Sequence, residues 1–104
     1  MPKDVGGNWT LWQSDGFVLY MELRQDDLSG NFAGRVNIRN KAGYTDVTDA
    51  HVSDEEFTFL MGPGRYNGRF DSNGFLSGIT YDTRESQGMP QATWHAGEKK
   101  FGRR

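Results

Sequence analysis

Turn-forming clusters recur along almost the whole chain, about one every 8–15 residues, and short aromatic or β-branched runs lie between them. Ser14-Asp15-Gly16, Gln25-Asp26-Asp27, Asn40-Lys41-Ala42-Gly43, Ser53-Asp54-Glu55, Gly62-Pro63-Gly64 and Asp71-Ser72-Asn73-Gly74 are the clearest. Spacing this short leaves no capped run of helical periodicity, and it joins neighbouring strands by hairpins rather than crossovers. Cysteine is absent, so aromatic packing rather than disulfides must close the fold. The expected fold is therefore all-β: an antiparallel up-and-down meander of about eight short strands closed into a small barrel.

The expected strands are residues 8–13, 17–24, 28–38, 44–52, 56–61, 65–70, 75–81 and 91–96. In the second, Phe17, Leu19, Met21 and Leu23 alternate with Val18, Tyr20, Glu22 and Arg24, the pattern of a half-buried strand. In the third, Leu28, Gly30, Phe32, Gly34, Val36 and Ile38 share one face, and inward glycines allow the sharp coiling a small barrel needs. Asp46 and Asp49 interrupt the fourth, which makes it the least regular. Residues 82–90 form the longest and most polar connection, the place for a mobile loop or lid.

At 104 residues the chain reads as one barrel domain, 1–104, of which 97–104 is a basic tail. Net charge is −2, but the body before residue 99 holds 8 basic against 14 acidic residues, and Lys99, Lys100, Arg103 and Arg104 supply the rest of the cations. An acidic body repels a polyanion, so nucleic acid is disfavoured as a partner. No apolar stretch reaches the ~20 residues that a membrane-spanning helix needs, and Met1-Pro2-Lys3-Asp4 lacks the apolar core of a signal peptide. A cytoplasmic protein without a membrane partner is the expectation; an extracellular one whose leader has been removed would read the same.

Gly7-Asn8-Trp9 enters the first strand, hairpin-linked strands follow, and Trp94 lies in a last strand succeeded by basic residues. In these features the chain resembles the calycin group of up-and-down barrels, the lipocalins and avidins, and within it the avidin/streptavidin type. The resemblance implies that Trp9 plugs one end of the barrel beneath a cation from Lys99, Lys100 or Arg103, a contact of order 0.5–2 kcal/mol. It also gives Trp94 a counterpart among the ligand-facing tryptophans of avidins. Thr10-Leu11-Trp12 stand where avidins commonly carry a polar Asn, so the resemblance does not extend to biotin.

Catalytic and metal chemistry find little footing. His51 with Asp46 and Asp49 has suitable donor types, and alternation would place Asp49 and His51 on one face, but no third ligand has motif spacing. The carboxylates of Asp26-Asp27 and Asp54-Glu55-Glu56 sit at adjacent turn positions that point apart, which does not suit acid/base work. Gly62-Pro63-Gly64-Arg65 lacks phosphate-loop spacing, and Ser77 lacks a nucleophile elbow. No catalytic residue, metal or cofactor is expected, and the chain is expected not to be an enzyme.

The leading expectation is a non-enzymatic barrel that binds a small, largely apolar or aromatic ligand at an open end formed by Trp12, Thr80, Tyr81, Arg84, Trp94 and His95. The alternative is a protein-interaction or inhibitor module that uses loops and a sheet edge, with another protein or a second copy as partner. Single-stranded nucleic-acid binding ranks third, carried by the aromatics with Arg24, Arg35, Arg39, Arg65 and Arg69.

Overall fold

Residues two apart on a strand share a face, and residues paired across a ladder share it too, so alternation and register together decide what enters a barrel. The computed structural model describes residues 4–25, 29–72, 75–84 and 90–97. It contains β1 (Gly7–Gln13), β2 (Val18–Arg24), β3 (Ala33–Ile38), β4 (Thr45–Val52), β5 (Glu56–Met61), β6 (Gly64–Phe70), β7 (Leu76–Asp82) and β8 (Ala92–Ala96). Each strand pairs antiparallel with the next, and β8 returns to pair with β1, closing the barrel in sequence order.

The inward face follows from the registers. Trp9 opposes Met21, Met21 opposes Val36, Leu11 opposes both Leu19 and Ala96, and Phe59 opposes Tyr66. All of these are buried, and with Leu23, Val47, Val52, Phe57, Leu76 and Trp94 they make one continuous core. Where β1 begins, the core is capped by Val5, fully buried, whose carbonyl accepts a hydrogen bond from Trp9 Nε1 at 3.0 Å and whose amide donates to Gln25 Oε1 at 2.8 Å. Phe32 adds a ring there, stacked on Phe57 at 5.1 Å. Trp9 thus plugs this end, while the cation expected above it belongs to a tail outside the described residues.

Three local departures from simple alternation have physical causes. The third strand starts at Ala33 rather than residue 28, because Gly30 adopts φ 94° and accepts a hydrogen bond from the Val52 amide at 2.7 Å, turning the chain before the ladder begins. Phe17 does not join the inward row: its carbonyl closes the β1–β2 hairpin to the Gln13 amide at 2.9 Å, and its ring, one step beyond the barrel wall, stays 46% exposed. In β4 the register shifts between Thr48 and His51, and Asp49 takes φ 47°. This is a β-bulge: one extra residue lets Val47, Ala50 and Val52 all face inward. Aspartate tolerates the left-handed conformation better than most side chains, so the interrupting acid in the sequence marks the bulge.

Candidate functional site

The barrel centre is occupied by rings. Phe57 meets Phe59 and Trp94 edge to face at 5.6 and 6.2 Å, and Phe59 stacks on Tyr66 at 4.8 Å. Trp94 has room because Gly68 faces it: a Cβ on Gly68 would lie 2.6 Å from the indole. Gly78 opposes Gly68 on one side and Trp94 on the other, and a Cβ there would overlap the Asn67 carbonyl. The paired glycines let β6 and β7 approach closely, and the indole fills the space they leave. Its Nε1 donates to the Ile79 carbonyl at 2.9 Å, so the ring is fixed by packing and by a hydrogen bond.

A polar cluster closes the other end of the core. The buried Tyr66 hydroxyl donates to Gln13 Oε1 at 2.5 Å, and Thr80, also buried, hydrogen-bonds the same phenol. Burial pushes the Tyr66 phenol up to about 12, partly opposed by Thr80. A phenol with a higher pKa folded than unfolded contributes stability that is complete below pH ~10 and is lost as pH rises through ~12. The loss at pH ~12 is on the order of 2–3 kcal/mol, so Tyr66→Phe is expected to flatten the fall of stability between pH 10 and 12 in urea melts. An unchanged slope would place the phenolate in solvent.

The six side chains expected to line an open mouth are divided by the barrel wall. Thr80 and Trp94 point inward and are 4% and 2% exposed. Trp12 and His95 oppose each other across β1 and β8 on the outside, their rings stacked at 5.2 Å. Tyr81 lies on the outward face of β7, opposite Arg65. Arg84 follows β7 and holds Asp82 at 2.6 Å, and its hydrogen bonds draw that carboxyl down to about 2. Divided between the two faces of the wall, these six do not converge on one mouth among the described residues. Closure of the barrel also pairs each described strand on both sides.

The outer surface is strongly uneven. On β3 to β6 the outward residues include Asp46, Arg35, Glu56, Arg65 and Arg69, and the last four are tied into ion pairs: Arg35 to Glu22 at 2.9 Å, Arg65 to Asp49 at 2.6 Å, and Arg69 to Glu55 and Glu56 at 3.1 Å. The bulge turns Asp49 toward Arg65 rather than leaving it beside His51. Arg65 also donates to Thr58 Oγ1 at 3.2 Å, and Thr58 donates to Asn67 Oδ1 at 2.5 Å, fixing the Asn67 amide in the wall of a groove of ≈ 600 Å³. By contrast, the outward residues of β7, β8 and β1 are Ser77, Ile79, Tyr81, Thr93, His95, Asn8, Thr10 and Trp12. Counting histidine as neutral, none of these is charged.

Trp12 is the anchor of this face. It is 40% exposed, yet its ring is held flat by His95 and by Gly97, where a Cβ would come within 3.3 Å of the indole. Ile79 on β7 and Tyr20 on β2 are each 37% exposed. No family model, curated protein or solved structure matches this chain. Its function must therefore be read from its own geometry. Of the residues on this face, the sequence names Trp12, Tyr81 and His95 as candidates for a ligand mouth, and it does not single out Thr10, Ser77, Ile79 and Thr93 as site residues. Their signal is the absence of charge at alternate positions of three strands, of which β1 joins β7 and β8 only when the barrel closes.

Proposed function

We propose that this barrel is a protein-interaction module that presents the outward face of β7, β8 and β1 to a partner. The observation that carries it is the uncharged face built around a pinned, part-exposed tryptophan. Interface centres are depleted in charge and enriched in aromatics, and an exposed Trp already held in one orientation loses little freedom on binding. Ordinary solvated surface of an acidic protein looks like the β3–β6 half instead, with its screened ion pairs. We also read the barrel as calycin-like, on its up-and-down order and on Trp9 sealing one end. A ligand inside it would have to displace Trp94 from its seat on Gly68, which favours the outer surface over an internal carrier site.

A photo-activated crosslinking residue at Thr93 tests the reading against the same residue at Thr48, on the charged side. Extract of the source cells should give discrete protein adducts from position 93 and few from position 48. Equal labelling at both positions would sink the proposal.

A further inference from the structure

We propose that the partner for the uncharged face is a second copy of this chain, packed about a two-fold axis through β7, β8 and β1. This rests on the interaction reading above and names its occupant. In an isologous interface a residue near the axis meets its own copy, so a charged residue there meets like charge. The hydroxyls of Thr10, Ser77, Tyr81 and Thr93 and the Asn8 amide each donate and accept hydrogen bonds, and such groups pair with their own copies without penalty. Ile79 and the free side of the Trp12 indole supply apolar area, 37% and 40% exposed in the single chain.

The acidic excess of the barrel body selects the same face. Before residue 99 the chain holds 14 acidic and 8 basic residues, so two bodies repel. Repulsion is least where the approaching surfaces carry no charge, and β3 to β6 offer no such surface. The size of the face places it among interfaces. Three strands about 4.8 Å apart and about 20 Å long cover on the order of 300 Å² per copy, against about 800 Å² per partner in a standard interface. A dimer on so small a face falls in the weak, transient class of interfaces.

Sedimentation equilibrium across 5 µM to 1 mM tests this. The wild-type weight-average mass should climb from one chain toward two. Ile79→Lys with Thr93→Lys should abolish the climb while circular dichroism and melting stay those of a folded barrel; Thr48→Lys should leave it intact. A strictly monomeric wild type at 1 mM, or a dimer that survives the Ile79→Lys, Thr93→Lys pair, overturns the proposal. The crosslink at position 93 separates this failure from that of the interaction reading. An adduct of twice the chain mass supports the dimer, and an adduct with a different protein from a monomeric chain rejects it while the interaction reading stands. Without an adduct preferring position 93, both fall.

Discussion

Trp94→Ala is expected to destabilise the barrel by about 3–5 kcal/mol in denaturant melts, the range for truncating a large buried aromatic. The indole is 2% exposed and touches the core from several sides, with Phe57 edge-on at 6.2 Å and Tyr66 tilted at 6.2 Å. Removing it opens a cavity over Gly68 that backbone cannot collapse to fill, because Gly68 and Gly78 are locked opposite each other in the β6–β7 ladder. It also strips the Ile79 carbonyl of the Nε1 donor at 2.9 Å. The converse substitution, Gly68→Ala, should destabilise too, by about 1–3 kcal/mol, since overpacking forces the indole off its rotamer. A loss under about 1 kcal/mol for Trp94→Ala would mean that the ring does not fill the barrel, and would return an internal ligand site to consideration.

The architecture was legible because turn chemistry is local. A cluster such as Gly62-Pro63-Gly64 specifies a hairpin whatever its surroundings, and in the structure β5 ends at Met61 and β6 begins at Gly64. Closure was legible from the short, evenly spaced strands and the aromatic surplus. What alternation alone could not supply was the phase at irregular points. Phe17 has the inward parity yet lies beyond the wall, and the bulge at Asp49 shifts the fourth strand's inward set by one residue. The candidate site suffered more. Trp12 and Trp94 look like partners in sequence because both are aromatic and near strand ends, but register pairs Trp12 with His95, and the neighbour of His95 on the strand must face the other way. Two strands from opposite ends of the chain set that register, so no local window contains it. The uncharged face has the same origin: β1 and β8 become neighbours only through closure.

The seal at the other end of the core offers a second test of comparable size. Trp9→Ala is expected to cost about 3–5 kcal/mol, through lost ring packing and the cavity left beneath Val5. The Val5 carbonyl would also lose its donor, now 3.0 Å away, at a backbone position that is fully buried. Trp9→Phe separates the two contributions. Phenylalanine keeps much of the apolar volume but cannot donate, so it should recover part of the loss and leave the cost of one unsatisfied buried carbonyl, about 1–3 kcal/mol. Urea melts of the wild type and both variants measure this. If Trp9→Phe were as damaging as Trp9→Ala, the hydrogen bond to Val5 would be what holds the N-terminal segment across the barrel. If Trp9→Ala cost under about 1 kcal/mol, Trp9 would not be part of the seal, and the calycin-like reading would lose its principal structural support.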